Sequence, residues 1–236
     1  MEKEKVINVY SEADRNMAFA TLMKNVYLWM TLGLAMTGLT AAYVAGNPGW
    51  MQTVFETRGL LLALLIGEVA LVWILSARIM RMSFATAGIM FAVYSILNGI
   101  TLSFIFLAYT MESIATTFFV TAGTFGAMTV VGFTVKKELS GMGRFLIMAL
   151  IGLIIATLVN LFVASSTFSW IITYLGVIIF VGLTAYDTQK IKNMLRDYGS
   201  ETNEVTMKLS LMGSLTLYLD FINLFLYLLR ILGDRK

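Results

Sequence analysis

The chain has 236 residues, 58% hydrophobic and 13% charged, with a mean hydropathy of +0.82 and a formal net charge of +3. A soluble domain carries about 25% charged residues, so a water-soluble globule is excluded and lipid must cover much of the surface. Cysteine and histidine are both absent, which excludes disulfides, thiolate metal sites, cysteine nucleophiles and imidazole-based pH sensing.

The N-terminal stretch MEKEKVINVYSEADRN is mixed in charge and has no apolar core before Val26. It does not read as a cleaved signal peptide, and the first apolar helix is expected to act as an uncleaved insertion signal. A bilayer crossing needs about 20 mostly apolar residues. Seven such stretches follow: Val26–Gly46, Gly59–Ala77, Phe84–Tyr109, Ser113–Val135, Phe145–Ala164, Phe168–Tyr186 and Leu209–Leu229. Asn47-Pro48-Gly49, with the only proline, reads as a turn, and Ser140-Gly141-Met142-Gly143 separates the fourth stretch from the fifth. Asp187 to Lys208 is the longest connector and the most polar stretch after the N-terminus. The expected fold is all-α, a polytopic membrane protein of seven transmembrane helices with the last one central. Residues 1–25 form a cytoplasmic segment, 26–232 the membrane domain and 233–236 a tail.

Basic residues orient the bundle, because cytoplasmic loops carry the excess of Lys and Arg. With a cytoplasmic N-terminus, thirteen of seventeen basic residues face the cytoplasm, and the outer loops hold only Arg58. The remaining three, Arg230, Arg235 and Lys236, follow the last stretch and oppose the rule. That stretch either crosses fully or re-enters; its length favours crossing. The basic pI of about 9.1 is accounted for by these loop charges, so nucleic acid is not an expected partner and membrane lipid is.

Three carboxylates lie in or at the ends of apolar stretches: Glu68 in the second, Asp187 at the end of the sixth and Asp220 in the middle of the seventh. A charge at the bilayer centre costs roughly 2.5–3.5 kcal/mol on insertion scales, so such residues face protein or a wet cavity. Gly213, Thr216, Asp220, Asn223, Tyr227 and Arg230 recur at helical spacing and form a polar stripe on one face of the last helix. Asn98, Thr101 and Asn160 could face the same interior. Glu68 has an alternative structural reading as the partner of Arg78.

Tyr186-Asp187-Thr188-Gln189, followed by Leu217-Tyr218-Leu219-Asp220-Phe221-Ile222-Asn223-Leu224-Phe225, resembles the paired signature of the Bax inhibitor-1 family. Val26-Tyr27-Leu28-Trp29-Met30 with Gly38-Leu39-Thr40-Ala41, and Gly99-Ile100-Thr101-Leu102-Ser103, are similar to its first and third helices. The resemblance implies a bacterial inner-membrane protein that is not an enzyme and has no resident cofactor. It implies a pH-sensitive calcium leak whose sensor is an aspartate pair on the last two helices, here Asp187 and Asp220, with Ca2+ bound weakly or passed. A basic residue on the second helix is implied to help set the state, and Arg78 matches it; Glu68 and Asn223 are supporting candidates. Other bacterial relatives imply a membrane-bound ATP-dependent protease as partner, and eukaryotic relatives imply suppression of cell death. Independently of the resemblance, two carboxylates held close together in a low-dielectric site cannot easily both ionise and share a proton. Deprotonated, they offer hard oxygen ligands suited to Ca2+. The rival chemistry is intramembrane aspartyl proteolysis, which Tyr186-Asp187 matches. Leu217-Tyr218-Leu219-Asp220 and the lone Pro48 do not carry that class's remaining motifs.

Overall fold

The computed structural model describes residues 11–57, 59–198 and 201–236. Arg58, Lys3 and Lys5, which enter the charge argument, lie outside them. The described residues form nine α-helices and one 3-10 turn. Seven of these segments are long and apolar enough to cross a membrane.

α1 (Glu12–Ala45) begins 14 residues before the apolar stretch. Ser11 and Asp14 close a capping box, the Ser11 hydroxyl accepting from the Asp14 N–H at 3.1 Å. Reciprocal capping of this kind starts a helix even in polar sequence. The Asn47-Pro48-Gly49 turn is instead the start of a short helix, α2 (Pro48–Glu56), with Asn47 at the N-cap and Pro48 in the first turn. Proline is suited to that position, where its missing N–H is not needed.

α3 (Leu60–Arg78) runs into the 3-10 turn Ile79–Arg81. The third crossing is α4 (Phe84–Leu102) followed by α5 (Ile105–Ala108), broken where the Ser103 hydroxyl donates to the Ile100 carbonyl at 2.6 Å. α6 (Met111–Thr134) and α7 (Ser140–Val163) follow. Ser140 to Gly143 therefore open α7 rather than separate it from α6. The break lies at 135–139, where Gln189 holds the chain: its amide donates to the carbonyls of Val135 and Lys137, each at 3.1 Å, and its oxygen accepts from the Leu139 N–H at 2.8 Å.

α8 (Ser166–Tyr198) continues 12 residues past Tyr186, where the apolar stretch ends. Most of the polar connector is helix. Thr188, Ile191 and Leu195 are buried at helical spacing while Lys190 and Arg196 stay exposed, so the extension is an amphipathic helix docked on the bundle. α9 (Glu204–Leu232) follows after a five-residue connector.

α9 is the centre of the bundle. It packs against α1, α4, α6 and α8. Half of its most apolar window is buried (50%), against 11% for α3 and α7, which lie at the periphery. α3 packs on α4, and α7 packs on α8.

The helices alternate, so the starts of α1 and α9 share one end with the connectors after α3, α6 and α8. Arg196 near the end of α8 stacks on the Phe19 ring near the start of α1, 5.1 Å away. At this basic end Lys208 donates to the Met82 carbonyl at 3.0 Å. The C-terminal tail sits at the opposite end, where Arg235 pairs with Tyr109 in an antiparallel bridge. There the Thr110 N–H donates to the Asp234 carbonyl at 3.2 Å and the Lys236 N–H to the Ala108 carbonyl at 3.1 Å. The last helix thus runs from one end of the bundle to the other and does not fold back. Because the chain is cysteine-free, Tyr109→Cys combined with Arg235→Cys gives a clean test. The pair is expected to form an intramolecular disulfide on mild oxidation, seen as a mobility shift reversed by reductant.

A buried aspartate pair and a second polar network

α8 and α9 carry the two aspartates into contact. Asp187 and Asp220 are 8% and 5% exposed, and their carboxyl groups interact side chain to side chain. The meeting depends on the extension of α8, which places Asp187 eleven residues before the helix end rather than at it. Asp220 Oδ2 is buried with no hydrogen-bond donor directed at it. Two facing carboxyl groups in such a site are held together by a proton between them, or pushed apart by charge. The positive charge of Lys190, one turn after Asp187, acts on both. That spacing is visible in the sequence, but Lys190 goes unnoticed while the segment is taken as a loop.

The pair lies on a half-open cleft of about 480 Å3 between α7, α8 and α9. Thr216, Asp220, Asn223 and Tyr227 of the expected stripe line it on the α9 side, and Leu150, Leu153 and Thr157 on the α7 side. Thr216 and Asn223 nonetheless turn their hydrogens to their own helix, donating to the carbonyls of Met212 at 3.1 Å and Leu219 at 2.8 Å. At the ends of the stripe, Gly213 packs under Ile191, and Arg230 donates to the Ser169 hydroxyl. Among the described residues no group of three or more carboxylates, cysteines or histidines could hold a metal. A cation at this cavity would have two acidic side chains, with water and carbonyl oxygens completing its shell.

Close packing through glycine fixes the approach of these helices, as small residues do in membranes. A side chain at Gly132 of α6 would collide with the Ala185 carbonyl and Thr188, on either side of Tyr186 and Asp187. One at Gly143 would collide with the Tyr186 ring, and one at Gly176 would come within 2.6 Å of Tyr227.

Glu68 belongs to a different site. It does not pair with Arg78, which is exposed at the basic end of α3. Thr101 donates to Glu68 Oε1 at 2.7 Å and the Asn98 amide to Oε2 at 3.2 Å. Tyr218, fully buried, donates to Asn98 Oδ1 at 3.0 Å and lies 2.7 Å from the Thr37 hydroxyl, which donates to the Ser95 carbonyl at 2.9 Å. Phe91 and Tyr94 pack edge-on against the Tyr218 ring. This network ties α3, α4, α9 and α1 together. Asn98 and Thr101 face the interior as expected, but toward Glu68 rather than the aspartates. Asn160 does not join either group; its side-chain oxygen accepts from the Ser165 N–H at 3.2 Å beyond the end of α7. Tyr218 and Asp220 stand two residues apart and so point to opposite sides of α9.

Seven bilayer-length helices, the last of them central and polar on two faces, define a polytopic membrane protein with a buried carboxylate pair. Residues 20–236 match the family described as inhibitor of apoptosis-promoting Bax1, and the chain belongs to this Bax inhibitor-1 family. It is 51% identical over 216 residues, 92% of each chain, to the protein called inner membrane protein YbhL in Escherichia coli K12. It is 46% identical over 215 residues, 91% of each chain, to an uncharacterized protein of Deinococcus radiodurans. With an uncharacterized protein of Rickettsia prowazekii it shares 44% identity over 214 residues, 91% of this chain and 89% of that one.

Removing the Tyr218 hydroxyl leaves Asn98 Oδ1 without its buried donor. Tyr218→Phe is expected to lower stability by about 1–3 kcal/mol, read as a lower melting temperature in detergent. An unchanged melt would show that the network carries no stability.

Proposed function

We propose that the protein is a pH-sensitive calcium leak of the bacterial inner membrane, governed by Asp187 and Asp220. The observation that carries this reading is the contact of the two carboxyl groups on a cavity between α7, α8 and α9. With one shared proton the pair ties α8 to α9. Without it the two charges repel, or a cation stands between them. Protons and Ca2+ then compete for one site, and the bond between the two helices is what changes with pH. A site with only two acidic ligands suits passage better than storage. The family resemblance points the same way, and the name of the Escherichia coli relative supports the membrane assigned. Arg78, at the basic end of α3, is then a residue that sets the state from a distance.

In liposomes holding only this protein, Ca2+ flux measured across pH is expected to change with pH for the wild type. Asp187→Asn and Asp220→Asn should each abolish most of that dependence, and the double variant should add little, because the pair acts as a unit. Single variants that keep the wild-type flux and pH profile would overturn the assignment and make Glu68 the next carboxylate to test.

The basic end of the bundle is assigned to the cytoplasm. A reporter active only in the cytoplasm is expected to give no signal when fused after Lys236. Activity there would reverse the orientation.

A further inference from the structure

The cleft beside the aspartates extends well past them. On α9 its lining runs from Thr216 to Tyr227, and on α8 from Asp187 back to Phe180. Asp187 is thus the α8 lining residue nearest the basic end. The eleven residues from Thr216 to Tyr227 carry the cleft about 16 Å toward the other end at 1.5 Å per residue. There the Tyr227 ring stacks on Phe180 with centroids 5.9 Å apart.

The polar side chains on the cleft are Thr157, Asp187, Thr216, Asp220, Asn223 and Tyr227, and no lysine or arginine lines it. Three of the six have spent a hydrogen inside their own helix. Thr157 donates to the Leu153 carbonyl at 2.8 Å, Thr216 to that of Met212 at 3.1 Å and the Asn223 amide to that of Leu219 at 2.8 Å. A hydroxyl has one hydrogen, so both threonines can only accept from the cleft side. The Asn223 amide nitrogen reaches back to its own helix and leaves Oδ1 on the other branch, with no donor among the described residues directed at it. Asp220 Oδ2 is buried and equally without a donor. Apart from the second amide hydrogen of Asn223 and the Tyr227 hydroxyl, the cleft beside an ionised pair offers only acceptor oxygens. Acceptors collected without donors in an apolar medium call for a cation or for water.

Register decides which oxygens can act together. Thr216 stands four residues before Asp220 and Asn223 three after it, so their Cβ atoms share one face at about 5–6 Å spacing. Oxygens so placed can converge on one ion with contacts of about 2.3–2.6 Å. Thr157, six residues before the end of α7, belongs to the far part of the cleft. We infer that Thr216 and Asn223 are cation ligands, their neutral oxygens flanking Asp220 and completing, with the two carboxyl groups, a hard-oxygen site for Ca2+. The inference rests on the calcium reading of the aspartate pair and names side-chain oxygens in place of some of the water in its shell. Neutral and acidic oxygens on two helices make a wide, pliant site. That favours Ca2+ over Mg2+, which demands a tight octahedron and dehydrates reluctantly.

The test is the rise in melting temperature of the purified full chain in detergent as Ca2+ or Mg2+ is added at alkaline pH, a measure that reports weak ligands. The wild type is expected to respond to Ca2+ at lower concentration than to Mg2+, and Asp187→Asn and Asp220→Asn to lose the response. Thr216→Val keeps the shape without the oxygen, and Asn223→Leu removes the amide. Each should raise the Ca2+ concentration needed about tenfold, the loss of one contact to a charged group. Thr216→Ser restores the oxygen and should respond as the wild type does. Asn223→Asp should lower the concentration needed. The Thr216→Val and Thr216→Ser comparison decides the matter even if Asn223→Leu lowers the melting temperature by itself. A Ca2+ response lost with the aspartates but unchanged in Thr216→Val and Asn223→Leu would mean that water completes the shell. That result overturns this inference and leaves the aspartate pair standing. A wild type that does not respond to Ca2+ would sink the calcium reading, and this inference with it.

Discussion

A polar group left without a partner in hydrocarbon costs several kcal/mol, and this constraint arranges the bundle. α9 carries polar side chains on two opposite faces, Tyr218 on one and Asp220 on the other. Neither face can meet lipid, so protein must stand on both sides. α1 and α4 cover the Tyr218 face, and α8 covers the Asp220 face. The peripheral helices obey the same rule. α7 is exposed to the bilayer along most of its length, and the polar carboxylate of α3 is turned inward onto α4.

The distance between the aspartates is set by backbones as much as by the carboxyl groups. Gly132, Gly143, Gly176 and Gly213 let α6, α7 and α9 close on α8 at separations that alanine would prevent at several of these points. Gln189 adds a fixed clasp to the connector after α6. The aspartates therefore sit where α6, α7 and α9 each close on α8 through a glycine.

Hydropathy located all seven crossings and the polar stripe placed α9 at the centre, because both patterns are properties of single helices. What depends on neighbours was not legible. Glu68 has Arg78 on a similar face of its own helix, yet its partners come from α4, over thirty residues away in sequence. Hydropathy ends the sixth crossing at Tyr186 because Asp187 to Lys208 is polar on average, but Thr188, Ile191 and Leu195 carry the helical spacing, and a meeting of Asp187 with Asp220 calls for the helix to run on. Gln189 stands in the signature and Lys190 among the basic residues, but their contacts, with the connector after α6 and with the aspartates, depend on other helices. The hydroxyls of Tyr27, Thr129 and Thr188 meet from three helices and leave no local pattern at all.

The tail bridge gives α9 a mechanical character. At the basic end it is pinned by Lys208 on the Met82 carbonyl and by Glu204, which accepts from the Phe84 N–H at 3.1 Å. At the other end the residues after Gly233 are stitched to the connector between α5 and α6. A rod seated in two bearings turns about its axis more easily than it slides. Any rotation of α9 that parted Asp220 from Asp187 would also strain the Tyr218–Asn98 hydrogen bond on the reverse side. Both polar contacts are carried on one rigid rod, so the stiffness of the network among α1, α3 and α4 bears on the contact with α8.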